Sequence, residues 1–303
     1  MNIEITSAYD GVSVRDYLFR ILGYSVAAVK RVKYRDGGIL VNGESVTVRR
    51  ILREGDTLTL AVEDREEDEN EYTVPVDLPI EIVYEDDFVT VVNKPPFMPA
   101  HPSLGHKDDT LANALAYRYR DKPYVFRPVN RLDRDTSGLM LVARDKVSAG
   151  KLYISMRRGE IKKSYLALLE GKITPEAGRI ETYMCREGNS IVKRCICDEN
   201  ATGAKLAVTD YETVASGGTL SLVRAVPVTG RTHQLRVHFA HVGHPILGDT
   251  MYGEASELIS RQALHASRLS FPHPESGEFI FFEVPLPDDM LAVIELDGIK
   301  QTS

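Results

Sequence analysis

The sequence predicts an α+β fold built on a mixed sheet. Strand-like and helical stretches mix irregularly, where a doubly wound fold would alternate them. Two β-rich runs, residues 80–84 and 88–92, flank the acidic turn Glu85-Asp86-Asp87, as in an antiparallel hairpin. No internal repeat runs through the 303 residues, a length that suits about two domains.

Residues 1–62 read as a small α+β module. Val14, Tyr17, Leu18 and Leu22 recur at helical spacing. A second short helix is expected near Ser25, with Ala27, Ala28 and Val29 inside, ending in the basic run Lys30, Arg31, Lys33 and Arg35. Residues 39–41 form a short strand closed by the hairpin signal Asn42-Gly43, and Gly55-Asp56 sets up a last strand at 57–60. Residues 63–75 carry like charges with almost no apolar content, so they are expected to be an acidic linker.

The second domain, residues 76–303, continues from the hairpin through Asn93-Lys94-Pro95-Pro96 to a helix near 111–117, capped by Asp109 or Thr110. Residues 139–143 are a strand that enters a helix near Asp145, with Ala149, Leu152, Tyr153 and Met156 on its apolar face. Strands are expected at 163–169, 206–214 and 219–227. Thr232 is the expected N-cap of a helix carrying Leu235, Phe239 and Val242. Residues 264–269 and 279–284 close the set of strands.

Hydrophobic residues make up 43% and charged residues 27%, the balance of a soluble globular protein. No apolar run approaches the ~20 residues that span a bilayer, and the N-terminus lacks signal-peptide character. A cytoplasmic protein with no membrane partner is expected. Cys195 and Cys197 are one residue apart, unlike the two-residue spacing of a zinc knuckle, so reduced thiols are expected at Cys185, Cys195 and Cys197. The net charge of −7 hides an uneven distribution. Residues 61–90 hold twelve acids and one base, while residues 12–60 hold nine bases and five acids. A local basic patch, rather than the pI, is the footprint of a nucleic-acid binder. Lys30, Arg31, Lys33 and Arg35 are therefore candidate phosphate contacts.

The chemistry concentrates at residues 130–139. Arg131, Asp133, Arg134 and Asp135 crowd together before an apolar strand, a costly arrangement unless the charges pair or work. A P-loop, a G-x-G-x-x-G turn and a Gly-x-Ser-x-Gly elbow are all missing. His233, His238, His241 and His244 fall within twelve residues, but no carboxylate or thiol joins them before Asp249, so no metal site is expected. From the residues alone, Asp133 and Asp135 are either a structural ion-pair cluster or a catalytic carboxylate pair.

The stretch Arg131-Leu132-Asp133-Arg134-Asp135-Thr136-Ser137-Gly138-Leu139 resembles the signature of the RluA family of RNA pseudouridine synthases. Around it, Asn93-Lys94-Pro95-Pro96, Lys163-x-Tyr165, Thr229-Gly230-Arg231-Thr232-His233-Gln234-Leu235-Arg236-Val237-His238, His244-Pro245-Ile246-Leu247-Gly248-Asp249 and Leu264-His265-Ala266 resemble further family motifs in the family order. One departure is Asn130, where the family usually has His. Residues 12–62 are similar to the RNA-binding domain shared with ribosomal protein S-four.

The resemblance implies a pseudouridine-synthase catalytic domain with a mixed, largely antiparallel central sheet. It implies isomerisation of uridine in structured RNA, most simply large-subunit ribosomal RNA, with transfer RNA the other candidate, by a monomer needing no cofactor or metal. Asp133 is then the essential carboxylate. Arg231 is its paired arginine, which favours the ionised form. Tyr165 stacks on the base and is a candidate general base, Leu235 walls the pocket, and Arg131 fills the space the flipped base leaves. Asp135 with Arg134 is structural. The alternatives are an inactive RNA-binding or ribosome-assembly factor on the same fold, and a small-molecule glycosidase using Asp133 and Asp135, which leaves the N-terminal module without a purpose.

Overall fold

The structure is a computed structural model that describes residues 2–22, 29, 37–60, 73–122, 124–188, 190 and 192–299. Near the N-terminus, β1 (Asn2–Glu4), β2 (Ile39–Val41), β3 (Glu44–Ser45) and β4 (Thr57–Leu60) form an antiparallel sheet in the order β1-β4-β2-β3. Asn42 and Gly43 have φ of 54° and 83°. Two left-handed residues let a two-residue hairpin match the strand twist. Asn42 also donates to Asp56 at 2.7 Å and accepts from the Thr57 amide at 2.8 Å, which ties the turn to β4. Helix α1 (Val14–Asp16, continued as a π-helical turn over Tyr17–Ile21) buries Val14, Tyr17 and Leu18 against Ile39, Val41, Leu52 and Leu58. Ser13 caps it by accepting from the Asp16 amide at 3.0 Å. Strand β1 was not foreseen. The expected second helix, except Val29, and residues 63–72 of the expected linker lie outside the described residues.

The larger sheet holds eleven strands among the described residues: β5 (Glu81–Glu85), β6 (Val89–Lys94), β7 (Arg127–Pro128), β8 (Ser137–Ala143), β9 (Lys162–Glu170), β10 (Ala177–Arg186), β11 (Arg194–Cys197), β12 (Lys205–Ser216), β13 (Leu220–Pro227), β14 (Leu264–Pro272) and β15 (Phe279–Glu283). Their order is β11-β10-β12-β13-β9-β14-β8-β6-β5, with β15 on β14 and β7 on β8. Every pairing is antiparallel except β8 with β14, so the sheet is mixed and largely antiparallel.

Strand β8 is the axis of the domain. All seven of its residues are buried, as expected of a near-continuous apolar run covered on both faces. Met140 and Val142 face one apolar cluster, with Tyr165 and Leu235, and Leu139 and Leu141 face another, with Leu152 and Phe271. Each such side chain contributes about 2 kcal/mol by leaving water.

Helix α2 (Leu111–Arg118) begins at Thr110, which exchanges bonds with Asn113 in a capping box. Helix α3 (Lys146–Arg157) is capped by Asp145, which accepts from the Val147 and Ser148 amides. Ser148, Ala149 and Leu152 pack inward. Tyr153 and Met156, expected on the same face, are 41% and 37% exposed because the contact stripe is only one side chain wide. Helix α4 (Gln234–His241) does not start on Thr232. Its N-cap is His233, in the left-handed conformation with φ 57° and ψ 19°. The Gln234 amide replaces a conventional cap: its oxygen accepts from Thr229 Oγ1 and the Arg231 amide, and its nitrogen donates to Val208 O and Thr209 Oγ1. Val242 is largely outside the packed stripe, at 39% exposure. Helix α5 (Asp288–Leu296) buries Met290, Val293 and Ile294, with Asp288 and Asp289 at its positive end. No helix among the described residues is long and apolar enough to cross a membrane.

At the one parallel junction, Ser137 and Gly138 lie opposite His265 and Ala266. Gly138 has φ 110°, and a Cβ built on it would sit 2.3 Å from Ala266 O. Gly138→Ala is therefore expected to destabilise the protein by roughly 3 kcal/mol or more, from backbone strain plus displacement of β14. A urea-unfolding midpoint indistinguishable from wild type would show that β14 yields freely.

Candidate active site

The site is built on the loop between β7 and β8. Its three consecutive carbonyls are each held: Asp133 O accepts from the Thr136 amide at 3.1 Å, Arg134 O from Lys94 Nζ at 2.9 Å and Asp135 O from Arg261 Nη1 at 3.1 Å. Lys94 has no exposed surface and also donates to Pro95 O and Met98 O. Burial lowers its pKa to about 7, against the pull of Asp135. Arg261 is anchored in turn by a bidentate pair with Asp289 at 2.7 and 2.8 Å. Asn130 enters the same scaffold, donating to Leu139 O and accepting from the Leu141 amide at 2.7 Å. A neutral amide meets both needs, so the departure from the family's usual histidine falls on a structural position. Ser137 Oγ bonds His265 Nδ1 at 2.9 Å, and burial with nearby Arg261 takes that imidazole's pKa down to about 4.

With the backbone held, the Asp133 side chain reaches α4. Arg236 Nη1 lies 3.1 Å from Asp133 Oδ2. The rest of that guanidinium is bidentate on Asp249, at 2.7 Å for both bonds. Arg236 and Asp249 are 7% and 1% exposed. Burial disfavours the arginine's charge, but the hydrogen bonds and charge of Asp249, then Asp133, outweigh it and hold its pKa above the ordinary value. Asp249 is oriented by amides of Met251 and Tyr252.

His233 is the second neighbour, with Nε2 3.8 Å from Asp133 Oδ2. Its Nδ1 meets Tyr252 Oη at 2.9 Å, and that hydroxyl also accepts from the Arg194 amide. The phenol can give its one proton to Nδ1, and in that tautomer the imidazole's own proton sits on Nε2, toward Asp133. Burial lowers the pKa of His233, partly countered by Asp133. Its left-handed backbone is a strained conformation for a residue with a Cβ, held only where surroundings compel it.

Tyr165 on β9, Leu132 and Leu235 belong to one apolar cluster beside Asp133. Burial, then the Asp133 charge, raises the Tyr165 pKa. It stays a neutral phenol at neutral pH, which counts against the expected general-base role and leaves its ring as a stacking surface. Arg131 is exposed at the rim. Arg134 and Asp135 pair with each other at 2.6 Å, on the surface.

The expected pairing of Arg231 with Asp133 is corrected. Arg231 is exposed, and its Nε donates to Leu206 O at 2.8 Å. The Gln234 oxygen captures the Arg231 amide before the helix begins, which keeps Arg231 outside α4 while Arg236 projects from its first turn. Sequence reasoning also left Lys94, His233, Asp249 and Tyr252 without roles. The signal for Arg236 was its place inside an apolar helical stripe between Leu235 and Val237, where a charge needs a buried partner. Lys30, Arg31, Lys33 and Arg35 lie outside the described residues. His238, read above as a possible ligand, is a neutral cross-link between Thr209 and Thr182, with its pKa lowered to about 4 by burial.

Together these features place a fixed, partly open carboxylate beside an apolar and aromatic wall. Residues 88–241 match the family model described as RNA pseudouridylate synthase. The RNA pseudouridine synthase YjbO of Bacillus subtilis (strain 168) is 36% identical over 286 residues, covering 94% of this chain and 99% of that protein. Ribosomal large subunit pseudouridine synthase D of Vibrio parahaemolyticus is 39% identical over 277 residues, covering 86% and 83%. Among solved structures, human RNA pseudouridylate synthase domain containing 1 superposes with a TM-score of 0.58 at 34% identity, covering 68% and 83%. The chain belongs to the RNA pseudouridine synthase family.

Two outcomes test the geometry. Asp249→Asn leaves the buried Arg236 short of a countercharge and is expected to cost about 3 kcal/mol of stability; calorimetry showing no loss would remove Asp249 from the network. For Lys94, the unfolded amine titrates near ~10.4 and the folded one lower, so the unfolded chain holds more protons between the two values and stability rises with pH there. Wild type should gain stability relative to Lys94→Met as pH rises from 7 toward 10. A pH-independent difference would mean that the buried amine keeps its ordinary affinity for a proton.

Proposed function

We propose that Asp133 is the carboxylate that drives isomerisation of uridine to pseudouridine in large-subunit ribosomal RNA. The observation that carries this reading is the single contact of Asp133 Oδ2 with Arg236 Nη1. It fixes a carboxylate that is otherwise 29% open to a substrate.

The reaction breaks the bond from uracil N1 to C1′ and joins C5 to C1′, while the proton on C5 passes to solvent and N1 takes one up. Asp133 acts on the sugar, either attacking C1′ or stabilising charge as a glycal forms. The Tyr165 ring and Leu235 hold the detached uracil while it turns. The target must leave its stack, at a cost of a few kcal/mol, and Arg131, which is exposed, occupies the gap in this reading. Residues 1–62 serve as an RNA-binding domain, with Lys30, Arg31, Lys33 and Arg35 on phosphates, joined through the acidic linker 63–75 to the catalytic domain 76–303. The relatives named for large-subunit ribosomal RNA favour that substrate, and a cytoplasmic monomer suits it.

RNA carrying tritium on uridine C5 provides the test. Wild type should release the label, while Asp133→Asn should abolish release and still bind RNA; full activity in Asp133→Asn would overturn the assignment. Arg236→Ala should lower the release rate by about 10²-fold or more, the scale of losing one preorganised charge partner, whereas Arg231→Ala should not. The opposite ranking would restore Arg231 as the partner.

A further inference from the structure

We propose that Cys185 and Cys195 form a thiol-oxidation site whose closure is transmitted to Asp133 through the β10–β11 hairpin. The two residues lie directly opposite one another in the antiparallel register, with Sγ atoms 3.7 Å apart. Directly opposed residues have Cα atoms about 4.5–5.5 Å apart, inside the range a disulfide accepts. Cys197, two residues on along β11, shares the face and lies opposite Tyr183. All three are free and half-buried rather than sealed in the core.

The hairpin also contacts the catalytic network, through a backbone amide of β11 and a side chain of β10. Arg194, next to Cys195, donates its amide to Tyr252 Oη, which holds His233 beside Asp133. Thr182 on β10 bonds His238 of α4, the helix that carries Arg236. Closing the sulfurs from 3.7 Å to about 2.05 Å ties the edge strand β11 covalently to β10 and restricts the strand that carries the Arg194 amide.

The chemistry is thiol–disulfide exchange with a low-molecular-weight disulfide as oxidant. Cys185 Sγ attacks one sulfur of the oxidant and displaces a first thiol. Cys195 Sγ then attacks Cys185 Sγ and displaces the second. The two cysteine protons end on the two released thiols, and the oxidant takes both electrons. Burial and the neighbouring Cys185 raise the pKa of Cys195, and push that of Cys197 up to about 11, so little of either is thiolate at neutral pH and reaction with the oxidant is slow.

The full chain is incubated with oxidised glutathione, alkylated, and analysed by intact mass, peptide mapping and tritium release. The expected result is loss of two hydrogens, one Cys185–Cys195 cross-linked peptide, and activity reduced about fivefold or more and restored by dithiothreitol. Cys195→Ser should neither cross-link nor lose activity on oxidation, and Cys197→Ser should do both. Only glutathione adducts, a bond through Cys197, bonds between chains, or a cross-linked enzyme at full activity would overturn the proposal. The activity arm rests on the proposed pseudouridine chemistry, which label release by the reduced enzyme tests separately; the mass arm does not depend on it.

Discussion

One guanidinium shared between two carboxylates sets the terms for the rest of the site. Asp249, buried and fed by two backbone amides, takes Nε and Nη2 of Arg236 and fixes its plane. Only Nη1 remains for Asp133. A buried ion pair alone gives little net stability, because desolvation offsets the attraction. Here its value lies in direction. The second carboxylate meets a donor that is already aimed, so little reorganisation remains when charge develops on a substrate.

The sheet supplies the other half of that preorganisation. Side chains from β6 and from the approach to β14, with one backbone amide of the loop itself, pin three successive carbonyls, so the backbone around Asp133 has little freedom left. Lys94 spends its hydrogen bonds on carbonyls and Arg261 mostly so, with its remaining nitrogens on Asp289. Neither positive charge neutralises Asp133 directly. The loop is thereby fastened without cancelling the charge that the chemistry needs.

Much of this was legible in the chain. Alternation and turn residues marked the hairpin of β5 and β6, the strands β8, β9, β12 and β13, and the Asn42-Gly43 turn, because each has one unambiguous local cause. Charge density before an apolar strand drew attention to Asp133 and Asp135, and the resemblance to the family motif chose Asp133 between them. The errors share a different origin. Arg231 and Arg236 are five residues apart in one motif, and only the Gln234 bonds decide which of them enters the helix. Strand β10 was missed because Gly178, Arg179 and Glu181 dilute its pattern where the strand is half exposed. Helix α5 is short, and its apolar spacing at Met290, Val293 and Ile294 follows a run that reads as strand. A single sequence states which residues are costly to bury, but not which distant partner relieves the cost.

The parallel contact of β8 with β14 joins residues 137 and 265, and the groups that surround Asp133 come from positions 94, 165, 233, 236 and 249. Contacts so distant along the chain form late, after the entropy of closing long loops has been overcome. A nascent or half-folded molecule would therefore contain Asp133 but none of its surroundings. The surroundings of Asp133 are complete only once the chain has reached residue 252 and α4 has packed against the loop that carries the carboxylate.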